Sequence, residues 1–564
     1  MSNTDKGDNR VLNDTYRLSL DFYSSDLILH ELLATHLSPT ALSYMDEFLH
    51  KQGKASARRM NVLSLLADKN GPELIKRNAF GETINEIRFH PAYWELMEIA
   101  QDSQMLRVKW EPALRSRFAK ERNQLGFSSG FLYAMSESGQ YCPLCMTDGV
   151  ALLLDTFCEE KDKSRLMPFI YSLSPETFYT GAMFLTEKAG GSDVGANLVR
   201  ATRLDGRNYT LDGEKWFCSN VNADIIFVLA RTDSKIKGTA GLSLFLVEKK
   251  LPDGSQNQMD IIRLKEKLGV RSMASAECML SNTRATLVGN EFEGFKLMAA
   301  MMNLSRLYNS VAAVSASRRA LIEAFQFLQA RPSFGKVAIE QPLIRTKLEE
   351  LQSIYLENFY LLWRTIRALD QAESGDSNNA ALLRLLTPML KKHSAESGVY
   401  LVRESMELMG GLGYIEDTIM PKLMRDVMVL PIWEGAGNIM VLDMLRALFK
   451  SEGFGIMCSE ISDNIKPYPE YAEKMSKELF DVQKQADLLK TMESEIREAS
   501  AAPFFKKLTS LYARSILLKE LNETNKFWIN PAVQYLHNMN YPVAEPRIRP
   551  LPVGDLQRMM GWAV

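Results

Sequence analysis

The hydrophobic period of this chain changes twice, which no single layer of secondary structure can satisfy. Up to about residue 180 the apolar positions recur at helical spacing. Leu18, Leu20, Phe22 and Tyr23 lead into Leu27, Leu29 and Leu32-Leu33, and Pro39 sets off a helix carrying Leu42, Tyr44, Met45 and Phe48. From Gly181 to about Asn290 the pattern is that of strands. Residues 209–211, 225–230 and 242–247 are rich in Ile, Val, Phe, Leu and Tyr, with Asp205-Gly206 and Asp212-Gly213 as turns. These strands follow one another without helices between them, which predicts an antiparallel sandwich or barrel. From Phe295 to about Lys450 the helical period returns over 312–328, 343–369, 380–409 and 439–449, with Pro388 as a point for a kink. Long helices joined by short polar links such as 374–379 predict a four-helix bundle. Beyond Ser451 the chain reads as a helical extension with an irregular end at Pro531, Pro542, Pro546, Pro550 and Pro552. The expectation is a mostly α chain with a central β domain, divided as 1–180, 181–290, 291–450 and 451–564.

Composition narrows the class of function. A net charge of -2 gives no global field to attract nucleic acid or an anionic membrane. Residues 1–10 lack the apolar core of a secretory signal, and no apolar run approaches the ~20 residues of a membrane span. Six cysteines in 564 residues are too sparse for a disulfide scaffold and fit a reducing compartment, so a cytoplasmic protein is expected. Cys142 and Cys145 form a C-x-x-C without a second pair to complete a zinc site. The extension holds 14 Lys/Arg against 15 Asp/Glu, yet Lys506, Lys507, Arg514, Lys519, Lys526, Arg547, Arg549 and Arg558 make its last part locally positive.

Several glycine-marked stretches suit a polar ligand. Phe184 to Asp193 begins apolar and ends in a Gly190-Gly191-Ser192 loop that offers N–H groups and hydroxyls, although it is not a P-loop. Gly213-Glu214-Lys215-Trp216-Phe217-Cys218-Ser219 follows a strand, and alternation sets Phe217 and Ser219 on one face. Arg331-Pro332-Ser333-Phe334-Gly335 combines a cation, an aromatic ring and a turn, which suits a phosphate group and equally an ordinary surface joint between helices. Met409-Gly410-Gly411-Leu412-Gly413 closes a long helix, where a glycine also serves simply as a cap. His90, Pro91 and Trp94 enter another helix, with Pro91 as its first residue. Finally, Pro431-Ile432-Trp433-Glu434-Gly435-Ala436-Gly437-Asn438 places a carboxylate beside an aromatic residue and a glycine turn between two helices. That setting can shield the carboxyl from water.

In this order, over residues 131–445, these stretches resemble the acyl-CoA dehydrogenase family. The resemblance implies an FAD between the β domain and the C-terminal bundle. It implies that Leu185, Thr186 and Ser192 line the flavin and acyl-CoA site, with Phe217 and Ser219 against the isoalloxazine. It also implies that Arg331 and Phe334 hold the pyrophosphate and adenine side of a neighbouring subunit's flavin. Glu407, Gly410, Gly411 and Asn438 would complete the cofactor contacts. Glu434 stands where the base stands in many members, with Arg306, Trp433 and Gly435 near the substrate. A homotetramer passing electrons to an electron-transfer flavoprotein is implied as well. Two positions depart from the family: Glu407 replaces a usual Gln, and Ala436 a usual Thr. The long extension and the residues 89–94 and 431–438 resemble the AidB-like subgroup, which brings in DNA binding through Lys506, Lys507 and Arg514 as the alternative. A further alternative is sequestration of acyl-CoA without turnover.

Overall fold

The computed structural model describes residues 20–523, 527–542 and 549–563, so Leu18, Lys526, Pro546 and Arg547 lie outside the described residues. The chain forms two compact units, one of residues 60–118 and 137–308, the other of 1–59, 119–136 and 309–564.

In the first unit, helices Pro91–Asp102, Tyr141–Phe157 and Glu160–Ile170 precede a seven-stranded sheet. Pro91 does take the first turn of its helix, where the missing N–H is no loss, and His90 accepts from Ala92 N at 3.1 Å as the cap. Not all of the N-terminal stretch is helical. Glu73–Arg77 and Thr83–Arg88 form an antiparallel hairpin, and its tip is organised by Asn78 Oδ1, which accepts from Phe80 N and Glu82 N. Asn78 and Gly81 make a tight turn affordable where the apolar period alone suggests continued helix.

The sheet runs in the order Gly181–Phe184, Ile225–Arg231, Arg200–Asp205, Asn208–Ser219, Ser275–Val288, Leu242–Glu248, with Met259–Leu264 added to Ser275–Val288. Leu242–Glu248 also pairs with Ile225–Arg231, which closes the sheet on itself like a barrel. The expectation of a wholly antiparallel sheet is corrected at Ile225–Arg231, which has two parallel neighbours; Arg200–Asp205 meets it with Arg200 beside Arg231. Gly181–Phe184 runs parallel to Ile225–Arg231, from Gly181 beside Ile225 to Phe184 beside Val228. The excursion through residues 200–219 supplies the long crossover that a parallel pair needs, here made of strands instead of a helix. With neighbours on both sides, Ile225–Arg231 is buried at every position.

The second unit is helical. Residues 309–330 of the helix Gly294–Ala330, with Pro342–Glu373, Ser377–Leu408 and Gly437–Lys450, form the bundle. Asp376, in the expected polar link, caps Ser377–Leu408 by accepting from Asn378 N and Asn379 N. The extension is built of Gly453–Ile465, Pro469–Thr491, Ser494–Glu523, Ile529–Asn540 and Val553–Met560. Its proline-marked end is therefore less irregular than expected, because Pro531 falls within the first turn of a helix, where it is tolerated.

One helix, Pro342–Glu373, receives this extension along its length through polar side chains. Arg345 donates to the Leu551 carbonyl and Gln352 Nε2 to that of Met559; Glu357 accepts from Ser510 Oγ. Tyr360 accepts from Trp528 Nε1, while Arg364 pairs with Glu460 and Arg367 with Glu520. Deeper still, the fully buried Arg318 grips Asp26 with Nε and Nη2 at 2.8 and 2.9 Å. The same guanidinium donates to the carbonyls of Met560 and Gly561.

Candidate active site

In the first unit, strand Gly181–Phe184 delivers Leu185 and Thr186 to the edge of a loop fixed mainly through its backbone. The Leu185 carbonyl accepts from Asn197 Nδ2 at 2.7 Å, and the Thr186 carbonyl accepts from Trp216 N at 2.9 Å. The second bond sets Thr186 beside Trp216, the residue before Phe217, whereas Ser192 lies further out and is exposed. A Cβ on Gly191 would lie 2.7 Å from Thr186 Oγ1, so this hydroxyl faces the bare Cα of a glycine.

The loop returns under a buried ion pair that the sequence reading passed over. Lys215, with none of its surface exposed, donates to Glu187 Oε1 at 2.8 Å, and Glu187 also accepts from Leu198 N and Val199 N. Burial lowers the Lys215 pKa, and Glu187 opposes that shift. A bulge between Lys215 and Cys218 interrupts the pleat, so simple alternation does not carry through to Ser219. Cys218 is buried, Ser219 is half-buried, and Phe217 is 56% exposed. The Lys265 ammonium sits 3.5 Å from the Trp216 ring centre and 4.7 Å from that of Phe217. Arg306, on the helix Gly294–Ala330, is buried and donates Nη1 to Asn303 Oδ1 at 3.0 Å.

In the second unit, Arg331 follows the end of Gly294–Ala330, and its guanidinium lies 5.2 Å from the Phe327 ring. The next residues form a minimal hairpin, Pro332–Ser333 with Lys336–Val337, whose tip Phe334-Gly335 has φ of +50° and +76°. That turn holds Phe334 out at 96% exposure. Gly410, at φ +59°, is close enough to Arg331 that a Cβ on it would lie 3.5 Å from Nη1, so the structure brings these two together. Gly411 has open space where a Cβ would be. Glu407 is largely exposed and pairs with Arg403 Nη1 at 3.3 Å, which offsets its charge beside this corner.

The Glu434 turn follows Met420–Val427 and precedes Gly437–Lys450. Glu434 has φ +56° and Gly435 φ +100°. The first is a left-handed conformation rarely held by a residue with a side chain. Trp433 and Glu434 are half-buried, while Asn438 is exposed and its Oδ1 accepts from Ile439 N at 3.0 Å. Ala436 stands at the cap of Gly437–Lys450 and leaves that helix without a side-chain cap.

The basic face expected for DNA loses one member. Arg514 is buried, pairing with Glu478 at 2.9 Å and donating to Tyr541 Oη, because its helix turns it into the extension's core. Cys142 and Cys145 lie in the first turns of Tyr141–Phe157, and no disulfide joins cysteines among the described residues. No described helix is long and apolar enough to cross a membrane.

Comparison with known proteins gives the same pattern. Residues 15–172 match the adaptive response protein AidB N-terminal domain. Residues 182–283 match the acyl-CoA dehydrogenase middle domain, and 293–449 its C-terminal domain. The chain is 35% identical to AidB of Escherichia coli (strain K12) over 425 residues, 74% of this chain and 76% of the relative. It is 30% identical to acyl-CoA dehydrogenase family member 11 of Caenorhabditis elegans over 491 residues, 84% of this chain and 79% of the relative. The structure of Caenorhabditis elegans ACDH-11 in complex with C11-CoA is similar with a TM-score of 0.85 at 28% identity, covering 93% of this chain and 92% of that one. With the helical, β and helical parts in this order and relatives this similar over most of its length, the chain belongs to the acyl-CoA dehydrogenase family, in its AidB-like branch.

Proposed function

We propose that this protein is an FAD-dependent oxidoreductase that dehydrogenates an acyl-CoA thioester between its α and β carbons, with Glu434 as the base. The observation that carries the reading is the left-handed φ of Glu434 in a glycine-flanked turn. Strain of roughly 1–3 kcal/mol at one residue survives only where the surroundings impose it, and it gathers at working sites.

The residues present suit the cofactor. Exposed Phe217, backed by Trp216, offers an aromatic wall, and Thr186 lies against the bare Cα of Gly191. Arg331 beside Gly410 offers a cation and unencumbered backbone to a pyrophosphate, with exposed Phe334 for an adenine. We assign Leu185, Thr186, Ser192, Phe217 and Ser219 to the flavin ring, and Arg331, Phe334, Glu407, Gly410, Gly411 and Asn438 to the dinucleotide. When bound, FAD supplies the hydride acceptor.

The chain's own part is to bind, orient and move one proton. The Glu434 carboxylate takes the α proton as enolate-like charge develops on the thioester oxygen. The main-chain N–H of Glu434 is the protein's donor to that oxygen, and such a donor acts mostly in the transition state. We assign Arg306, Trp433 and Gly435 to the acyl-CoA substrate. The assembly we propose is a homotetramer in which the Arg331 and Phe334 hairpin serves a neighbouring copy, and an electron-transfer flavoprotein reoxidises the enzyme. The C11-CoA bound to the Caenorhabditis elegans relative supports an acyl-CoA ligand. Burial of Arg514 weakens the DNA alternative, since phosphate contacts need accessible cations.

The test is an anaerobic titration of the yellow protein with straight-chain saturated acyl-CoAs shorter and longer than C11, following flavin absorbance. Bleaching is expected with one length class, and Glu434→Gln should keep its flavin but bleach ~100-fold or more slowly. A spectral shift without bleaching at any length would replace this reading with acyl-CoA sequestration.

A further inference from the structure

One fully buried cation beside the Glu434 turn has no part in the chemistry above. Lys391 lies in Ser377–Leu408 with no exposed surface. Its Nζ donates to the Gly435 carbonyl at 2.7 Å and to the Pro431 carbonyl at 3.2 Å, the two carbonyls that bracket Ile432-Trp433-Glu434. The turn is fixed at its other points too. Ile432 N and Trp433 N both donate to the Val429 carbonyl, and Asn309 Nδ2 donates to that of Leu430 at 3.1 Å. On the far side, a Cβ on Gly435 would lie 2.5 Å from Met440 Cε. Taking an ammonium out of water costs several kcal/mol, and a methionine would fill the same helix face without that penalty. The cation is therefore best understood through what it holds, which is a backbone segment in a conformation a glutamate does not choose by itself.

We infer that Lys391 is a positioning residue for Glu434: by gripping the carbonyls on both sides of the left-handed turn it sets the direction of the Glu434 carboxylate and N–H. The inference rests on the reading of Glu434 as the base. Lys391 acts through the backbone, so its loss should spare acyl-CoA binding and slow proton removal. A displacement near 1 Å of a catalytic group lowers the rate about 100-fold.

The experiment compares wild type, Lys391→Met, Lys391→Arg and Glu434→Gln, all purified with FAD, in stopped-flow mixing with the same acyl-CoA series. In Lys391→Met the concentration that half-saturates the ligand-induced spectral shift should stay within threefold of wild type. Its bleaching rate should fall ~50-fold or more, with partial recovery in Lys391→Arg, which keeps the charge. Full-rate bleaching in Lys391→Met alongside an inactive Glu434→Gln would overturn the positioning role and leave the base in place. Wild-type-like bleaching in Glu434→Gln would instead remove the base assignment, and the inference with it. If Lys391→Met does not hold FAD, Lys391→Gln keeps a polar donor at the same place and is read in its stead. It must show the same split between binding and rate, and an unchanged rate there overturns the inference.

Discussion

Two loops of this molecule are each held by a lysine that has lost all contact with water, and they are held differently. In the β unit, Lys215 answers a carboxylate, Glu187, which in turn fixes two backbone N–H groups of the returning loop. In the helical unit, Lys391 answers two backbone carbonyls around Glu434. The first clamp has a full counter-charge, so its integrity is a matter of stability. The second grips two carbonyl dipoles of a turn whose own carboxylate is assigned to a proton transfer. A charge that must stay reactive is better positioned through the peptide groups beside it than by a direct ion pair, which would lower its affinity for a proton.

The comparison can be broken most forcefully at Glu187. Glu187→Ala leaves the Lys215 ammonium buried without this partner and should cost about 3–5 kcal/mol in urea unfolding, with loss of FAD from the purified protein. A loss below ~1 kcal/mol would mean that the pair is not the loop's anchor. Lys391→Met should cost less, about 1–3 kcal/mol for carbonyls deprived of a donor, while its effect on flavin reduction is the larger of the two per unit of stability lost.

A weaker, half-exposed cluster gives the baseline for both. Burial alone would raise the Asp155 carboxyl, but hydrogen bonds from Arg115 and Lys163 outweigh it and hold the group at about 2. A depressed carboxyl stabilises the fold above its unfolded value of about 4, and that contribution disappears as pH falls toward about 2. Asp155→Asn should therefore cost about 1 kcal/mol at pH 7, after allowance for solvent screening, and almost nothing near pH 2. A difference that grows on acidification would contradict the assignment of the shift to Arg115 and Lys163.

Much of the architecture was legible from period alone, because helices of about three to ten turns repeat their apolar face often enough to be unmistakable. The hairpin of residues 73–88 was not, since its strands are short and mostly half-exposed or exposed, and they carry little alternation. The parallel pairing of Gly181–Phe184 was hidden for another reason: its partner lies beyond two other strands in sequence. At the candidate site the glycines announced turns, and positive φ at Gly335, Gly410 and Gly435 gives their physical need. The lysines behind the turns gave no such signal. Lys391 reaches carbonyls 40 and 44 residues away, and Lys215 a carboxylate 28 residues away, and nothing local marks either side chain as buried. Arg514 misleads in the same manner, being charged in composition yet interior in the fold.

The grip of Arg318 on Asp26, Met560 and Gly561 has a consequence for the order in which a cell can complete this molecule. Every residue of the β-containing unit precedes position 309, so that unit can close while the ribosome is still translating the bundle. The helical unit cannot. Asp26 and Arg318 would pair early, but the carbonyls that finish saturating the guanidinium arrive only after some 240 further residues. Until then the N-terminal helices and the bundle share a partly occupied socket. A nascent chain stalled before Val553–Met560 should for that reason be a better client for chaperones than the released protein.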